Sequence, residues 1–282
     1  MSGPVDQQMG GVPEVDDLSY SYFQRRVMRL AGIDLTAYKS QQMRRRLGTL
    51  LARNKVSSLM EYAKLLEQPA KLQEFLDFFT INVSEFFRIP EKFAYLEKTV
   101  LPALMARGRE LRVWSAGCSN GAEPYSLAII LDEMAPTGRW SILATDVDRT
   151  TLARAQRGDR YTPADVRNVS PARLSRYFER DGEGYRVKDT LKRRIQFKVH
   201  DLLRDPYESG YHLILCRHVV IYFTEEAKEV LYRRFHESLV DGGVLFVGGT
   251  EIIPRAREIG FESMAVSFYR KRPSIGGPGP GH

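Results

Sequence analysis

The chain has 282 residues, of which 43% are hydrophobic and 27% charged, and its formal net charge is +7. This length suits one large or two small domains of an ordinary globular protein. No apolar run approaches the ~18 residues of a membrane span, and a signal peptide is not expected. Two cysteines do not make a disulfide framework, so we expect a cytoplasmic protein, and the charge favours an acidic partner.

The first part of the chain carries a helical pattern. Over residues 16–81 apolar side chains recur three and four positions apart, and Gly32, Ser57–Ser58 and Pro69 predict helix ends. We therefore expect a small all-helical domain, with disordered Gly/Pro-rich tails over residues 1–15 and 273–282.

One helix of this domain is strongly basic. In the segment YKSQQMRRRLGTLLAR, the basic side chains of one face and its flanks are Lys39, Arg44, Arg45, Arg46 and Arg53. The simpler interpretation is a solvated helix face, and the functional one is a docking surface for an acidic helical partner.

From Leu111 the pattern changes to five apolar runs of strand length, LRVWSA, WSILATDVD, RIQFKVHD, YHLILCRHVVIYF and GGVLFVGGTE. The helical stretches that separate most of them are Glu123–Met134, Arg149–Gln156 and Glu225–Leu239. This alternation predicts an α/β fold over residues 111–272, a doubly wound parallel sheet. Residues 82–110, which lie between the two patterns, are expected to form a linker segment and a helix. In such sheets the ligand lies beyond the carboxyl ends of the strands.

Glycine or polar side chains follow four of these runs. They are Gly117, Gly121 and Glu123 after the first, Asp146 after the second, Asp201 after the third, and Arg217 and His218 after the fourth. Taken singly, each has a structural explanation, such as a tight turn or a helix cap. Asp148 suits the cap better, which leaves Asp146 for a ligand. Four such strand ends on one edge favour a ligand site.

The turn WSAGCSNGAEPYSL combines glycines with a carboxylate, where a phosphate-binding loop would present bare amides. An adenosine that carries an ammonium and a sulfonium, but no phosphate, would be favoured by that carboxylate. S-adenosylmethionine is such a ligand, and we predict it as the cofactor, with S-adenosylhomocysteine as product.

Four segments together resemble the CheR-type chemotaxis-receptor methyltransferases over nearly the whole chain: TINVSEFFR, WSAGCSNGAEPYS, LATDVD, and FKVHDLL with YHLILCRHVVIYF. The resemblance implies transfer of methyl groups from S-adenosylmethionine to receptor glutamates, giving methyl esters. It also implies a receptor-docking helical domain followed by a Rossmann-like methyltransferase domain. A small β-insertion is expected at about residues 177–195.

Matched residue by residue, the resemblance places cofactor contacts on Asn82, Ser84, Arg88, Glu123, Asp146, Asp201, Leu202, Arg217 and His218. It favours the docking interpretation of the basic helix. Arg88 is the expected cation for the substrate carboxylate, with a surface ion pair as the alternative. Tyr222 is expected either to line the pocket or to be a core aromatic. His218 replaces a usual Asn, so weaker or pH-dependent cofactor affinity is expected.

The expected partner is the cytoplasmic helical bundle of chemotaxis receptors, bound by a monomer without metal, nucleic acid or membrane insertion. A nucleic-acid methyltransferase and a non-catalytic S-adenosylmethionine-binding adaptor are the alternatives. Some members of the family tether a receptor's C-terminal peptide on the β-insertion. Here YFERDGEGYRVKD has a short turn with Asp181 and Glu183, so we expect docking through the helical domain alone.

Overall fold

A computed structural model of the protein describes residues 15–80, 84–108, 110–249 and 251–273. The chain divides into two compact units, one formed by the residues through Phe79 together with Tyr222–Thr224, and the other by the remainder from Thr80. The expected tails lie almost entirely outside the described residues. Across the described ranges, no helix is both long enough and apolar enough to cross a bilayer.

The helical unit contains four α-helices in its described part: α1 (Asp17–Ala31), α2 (Ser40–Arg53), α3 (Leu59–Leu65) and α4 (Pro69–Phe79). The predicted helix ends are confirmed, because Gly32 closes α1 in the left-handed region, Ser58 caps α3 and Pro69 begins α4. The helices pack around buried aromatic rings, with Phe23 and Phe75 in edge contact at 5.5 Å.

The second unit begins with α5 (Pro90–Tyr95), a π-helical turn at Leu96–Val100 and α6 (Leu101–Met105). Its strands are β1 (Leu111–Ala116), β2 (Trp140–Asp146), β3 (Phe178–Asp181), β4 (Gly184–Val187), β5 (Ile195–Val199), β6 (Tyr211–Cys216), β7 (Leu239–Val247), β8 (Phe261–Ala265) and β9 (Phe268–Lys271). Its remaining helices are α7 (Ala122–Met134), α8 (Arg149–Arg157), α9 (Pro171–Tyr177), α10 (Asp189–Lys192), α11 (Glu225–Ser238) and α12 (Ala256–Ile259).

Seven of these strands form one sheet in the order β5-β2-β1-β6-β7-β9-β8. The five strands from β5 to β7 run parallel, as predicted, and β6 is buried along its whole length. The chain builds outwards from β1 to β2 and β5 on one side and from β6 to β7 on the other. The switch point therefore lies between the carboxyl ends of β1 and β6, where a doubly wound sheet binds its ligand.

The structure differs from the predicted elements in two places. The fourth apolar run is too long for its strand, because β6 ends at Cys216 and a 3-10 turn follows at Val220–Tyr222. The antiparallel strands β8 and β9 were not predicted, since each is short. The β3–β4 hairpin lies within the expected insertion and forms a separate two-stranded sheet.

Candidate functional site

The turn between β1 and α7 is built by two glycines in the left-handed region, Gly117 at φ 83° and Gly121 at φ 87°. A Cβ on Gly117 would lie 2.5 Å from the Val219 side chain, and one on Gly121 would lie 3.0 Å from the Ala155 side chain. Backbone conformation and protein packing therefore account for both glycines. Their contact with a cofactor stays a prediction.

Asp146 ends β2 and turns its carboxylate towards that glycine turn. One oxygen accepts a hydrogen bond from the Ser119 backbone N–H at 2.8 Å, and the other accepts from the Asp148 N–H at 3.0 Å. Burial raises the pKa of Asp146 to about 6. The predicted helix cap at Asp148 is confirmed, because its side chain accepts hydrogen bonds from the Thr150 and Thr151 N–H groups at the start of α8. The predicted contact of Asp146 with a ligand stays a prediction.

Glu123 lies in the first turn of α7, at the switch point. Its Oε1 accepts a hydrogen bond from the Ser115 hydroxyl at 2.8 Å, and its Oε2 lies 3.4 Å from Nη1 of Arg217. Burial raises the pKa of Glu123, and the Arg217 charge opposes that rise. The carboxylate is thus held by β1 on one side and by the residue after β6 on the other.

Arg217 is buried, with only 2% of its side chain exposed. Nη2 donates to the Arg88 carbonyl at 2.8 Å, and the guanidinium lies over the rings of Phe93 and Phe246 at 5.2 and 4.6 Å. Burial lowers the pKa of Arg217, although Glu123 favours its charged form. The side chain therefore supports Glu123 and the Arg88 backbone, and a direct cofactor contact by Arg217 remains a prediction.

The segment around Arg88 is conformationally strained. Phe87 and Ile89, on either side of Arg88, have φ values of 52° and 63°, which cost about 1–3 kcal/mol each for such residues. The Phe87 N–H donates to the Ser126 hydroxyl at 2.9 Å, and Asn120 donates to the Ser84 carbonyl at 3.3 Å. The fold thus holds this segment against the start of α7. Asn82 lies outside the described residues.

The loop after β5 is held by hydrogen bonds from its own backbone N–H groups to its own aspartate side chains. Oδ1 of Asp201 accepts from the Leu203 N–H at 2.8 Å, and the Asp201 N–H donates to the Asp205 carboxylate at 2.9 Å. Burial raises the pKa of Asp201. The Leu202 carbonyl accepts from the Tyr207 hydroxyl and from Arg234, both at 2.7 Å. Sequence reasoning missed Arg234, because nothing in YRRF separates it from its neighbour Arg233.

His218 has φ 60°, a conformation that Asn and His tolerate better than most residues. Burial, reinforced by the charges of Arg88 and Arg217, lowers the pKa of His218 to about 4. Its Nε2 is buried without a hydrogen-bond partner in the described part of the chain. Since the ring is neutral near physiological pH, the pH dependence expected from His218 is not supported there.

Comparison with known families matches both units of the chain. The CheR methyltransferase SAM-binding domain matches residues 82–269, and the CheR methyltransferase all-alpha domain matches residues 18–80. The chain belongs to the CheR methyltransferase family.

Curated relatives of this CheR-family chain carry matching names. A chemotaxis protein methyltransferase of Listeria monocytogenes is 42% identical over 92% of this chain and 99% of its own length. Chemotaxis protein methyltransferase 1 of Pseudomonas aeruginosa is 36% identical over 80% and 86%, respectively. The Salmonella typhimurium chemotaxis protein methyltransferase is 36% identical over 83% and 84%.

The residues at the strand ends fit the S-adenosylmethionine that this CheR family binds. Asp146, at the end of β2, is buried, and Glu123, in the first turn of α7 after β1, has 12% of its side chain exposed. Burial raises the pKa of each carboxylate. A ligand with hydroxyl and ammonium donors would stabilise their ionised forms, whereas a phosphate would be repelled. The two carboxylates, which accept hydrogen bonds and carry negative charge, thus match a cationic nucleoside.

Tyr222 belongs to the helical unit, where its carbonyl accepts a hydrogen bond from the Lys39 N–H at 3.0 Å. Its expected role in lining the pocket is therefore not visible within the methyltransferase unit and stays a prediction, with a core aromatic as the alternative. Cys118 and Cys216 are free and buried, and burial raises the pKa of each thiol.

The five residues of the predicted docking face differ in exposure and in contacts. Arg44 donates to the Val15 carbonyl at 2.7 Å and lies over the Tyr20 ring, and Arg46 donates to the carbonyls of Phe78 and Phe79. These two arginines serve the helical unit itself, which corrects the view of a uniform docking face. Lys39 is half-buried ahead of α2. The exposed members are Arg45 and Arg53.

Proposed function

We propose that this protein transfers methyl groups from S-adenosylmethionine to glutamate side chains of chemotaxis receptors, forming glutamate methyl esters. The observation that carries the proposal is the coupling of two sites by Arg217. Its guanidinium holds Glu123, a predicted cofactor ligand, and the backbone of Arg88, the predicted substrate ligand. The names of the curated relatives support the chemotaxis context.

On the cofactor side, Asp146 is the expected partner of the ribose hydroxyls and Glu123 of the ammonium. Asp146 is already aligned by two backbone N–H donors, so it loses little freedom on binding. The cofactor supplies an electrophilic methyl group on a sulfonium. Everything else in the reaction depends on positioning by the protein.

On the substrate side, the chain needs no general base, because a glutamate is already ionised near neutral pH. Its carboxylate must be held in line with the methyl group and shielded from water. Arg88 is the candidate for this task, since its planar fork matches a carboxylate. The strained conformations of Phe87 and Ile89 give Arg88 a fixed starting position.

The two alternatives are less well supported. A nucleic-acid methyltransferase that acts on an exocyclic amine would be expected to carry an Asp/Asn-Pro-Pro-aromatic turn after the fourth strand of the fold, where this chain has RHVVIYF. A non-catalytic adaptor could use Arg88 as a cofactor contact, but it would not need a cation to hold a substrate carboxylate. Both are outcomes of the experiment below.

The test is incubation of the full chain with S-adenosylmethionine labelled in its methyl group and membranes that contain the organism's receptors. We expect base-labile label on receptor bands, as methyl esters hydrolyse in base. Arg88→Ala should reduce turnover at saturating receptor by about tenfold or more, while the exposed Arg257→Ala should not. Label in RNA or DNA, or cofactor binding without any transfer to receptors, would overturn the proposal.

A further inference from the structure

The loop Asp201–Asp205 lies on one flank of the candidate site. In the sheet, β5 is the neighbour of β2 on the side away from β1. A ligand with its amino-acid half at Glu123 and its ribose at Asp146 would therefore extend its base towards the loop after β5. This placement rests on the proposed function.

That loop is pinned from outside by a single arginine of α11. Nη1 of Arg234 donates to the Leu202 carbonyl at 2.7 Å, and Nη2 donates to the Asp205 carbonyl. The guanidinium lies 3.8 Å above the Tyr207 ring, and the Tyr207 hydroxyl donates to the same Leu202 carbonyl at 2.7 Å. Three donors from two side chains thus bind the carbonyls of the second and the last residue of a five-residue loop.

The Tyr207 ring packs against other aromatic rings of the methyltransferase unit. Its ring meets Trp114 of β1 edge-on at 4.8 Å and Phe235 of α11 at 5.4 Å. Trp114 is itself fully buried and donates from Nε1 to the Thr145 hydroxyl at 2.9 Å. Arg234 and Tyr207, which together form a clamp on the loop, therefore connect the loop to the central strand β1.

We infer that Arg234 is a positioning residue that holds the Asp201–Asp205 loop in the shape that recognises the adenine base of the cofactor. Arg234 itself faces loop carbonyls and Tyr207, so it acts through the loop and not by touching the ligand. Without it, the Asp205 carbonyl loses its donor and the Leu202 carbonyl keeps only Tyr207. The loop would then sample other conformations, and base recognition would weaken.

The chain offers a matched control in the preceding residue. Arg233 lies on the same helix, is 51% exposed, and pairs with Glu229 one turn away at 2.9 Å. Arg233→Ala removes the same side chain from the same helix without touching the loop.

The experiment is calorimetric titration of the full-length chain with S-adenosylhomocysteine and with S-inosylhomocysteine, which differs only in the base. We expect the wild-type chain and Arg233→Ala to prefer the adenine compound equally. Arg234→Ala should weaken S-adenosylhomocysteine binding about tenfold and shrink the preference. Arg234→Lys should fall between them, since one ammonium does not span two carbonyls as a fork does.

In the methylation assay, Arg234→Ala should raise the KM for S-adenosylmethionine and leave kcat at saturating cofactor unchanged. The inference is overturned if the wild type does not distinguish the two bases. It is equally overturned if a folded Arg234→Ala binds like the wild type, or weakens both ligands by the same factor. Failure of the wild type to bind S-adenosylhomocysteine at all would instead count against the proposed function.

If Arg234→Ala does not fold, Arg234→Lys and Tyr207→Phe decide the question. Tyr207→Phe removes one donor to the Leu202 carbonyl and keeps the ring beneath Arg234. A reduced base preference in either variant supports the clamp, and an unchanged preference in both contradicts it.

Discussion

Arg46 in the helical unit and Arg234 in the methyltransferase unit make the same set of contacts. Each sends its two Nη atoms to two backbone carbonyls and lies over an aromatic ring, Phe78 in one case and Tyr207 in the other. The carbonyls differ in origin. Those bound by Arg46 end helix α4, and those bound by Arg234 belong to a loop at the edge of the candidate cofactor site.

The comparison shows that two arginines with the same contacts can have different roles. The role depends on whether the arginine binds a structural helix end or a loop beside the ligand site. Closing a helix end satisfies orphan carbonyls and stabilises the unit. Fixing a loop beside a ligand site changes an affinity. Substitutions should therefore separate the two units: changes in the helical unit should leave cofactor affinity intact, and changes at the strand ends should weaken it.

The largest effect is expected at Asp146. Asp146→Ala removes charge-assisted hydrogen bonds to the ribose worth about 1.5–3 kcal/mol each, so S-adenosylhomocysteine binding should weaken on the order of ten- to a hundredfold. Calorimetric titration gives the dissociation constant directly.

The control for Asp146 is Glu262→Ala, which removes an exposed carboxylate from β8 and should bind like the wild type. Because Asp146 also accepts from Ser119 and Asp148, the thermal stability of the variant must be followed in parallel. A folded Asp146→Ala with unchanged affinity would remove this residue from the site.

The second expected effect is a loss of cofactor affinity at acidic pH. The pKa of Asp146 is raised to about 6 in the ligand-free protein, so protonation below that pH removes the charge that the ribose hydroxyls need. Affinity should be constant above pH 7 and fall by up to about tenfold per pH unit well below 6. The pKa of His218 is about 4, so this ring stays neutral through most of that range.

The assignment of this titration is testable by proton linkage. Binding near pH 6 should release a proton from Asp146, which calorimetry in buffers of different ionisation enthalpy detects. Asp146→Asn should abolish both the release and the pH dependence. If both persist in that variant, the titrating group is another one, and Glu123 is then the candidate, since burial raises its pKa as well.

The sequence predicted the parallel sheet and the position of the site because both depend on local patterns. Continuous apolar runs predicted buried strands, and the residues that follow them, such as Asp146 and Glu123, fall at the carboxyl edge by topology alone. The cap at Asp148 was predictable for the same reason, since capping depends on the next three residues.

The supports of the site were not predictable in this way. Arg217 and Arg234 act on residues far away in sequence, at Arg88 and Leu202, and nothing near them in the chain marks those partners. Likewise, the positive φ angles of Phe87 and Ile89 arise from tertiary contacts that override local preference. Local patterns thus indicated the candidate ligand side chains, and long-range packing determined how they are held.

A third, smaller effect is expected in the helical unit. Arg45→Ala combined with Arg53→Ala removes two exposed positive charges from α2 and should slow receptor methylation roughly two- to fivefold at low salt. The loss should fade near 1 M salt, where exposed charges are screened. Initial rates at several ionic strengths measure it.

Arg46→Ala is the contrasting variant. It leaves the carbonyls of Phe78 and Phe79 without their donor, so the unit should lose about 1–3 kcal/mol of stability while S-adenosylhomocysteine affinity is unchanged. If the Arg45→Ala, Arg53→Ala double variant also loses cofactor affinity, or if its loss of rate does not depend on salt concentration, then α2 is structural and not a docking surface.

The smallest effect, none at all, is expected when C-terminal peptides of the receptors are added to the purified enzyme. A peptide tether needs a free strand edge on the β3–β4 hairpin. The outer edge of β4 is already in use, because Tyr185 and Tyr161 exchange both backbone hydrogen bonds at 2.8 and 3.0 Å, and Val187 donates to Gly158.

On the other edge, β3 has four residues, and its register with β4 turns the backbone of Arg180 outwards, opposite Tyr185. The N–H of Phe178 is taken by the Leu174 carbonyl at the end of α9. An edge this short offers little to a strand, and the exposed Asp181 and Glu183 at the turn repel an acidic tail. We therefore expect no saturable binding up to about millimolar peptide, the effective concentration that a flexible tether would supply. Saturable binding that disappears when the turn at residues 181–184 is altered would show that the tether exists and that the β3 edge suffices for it.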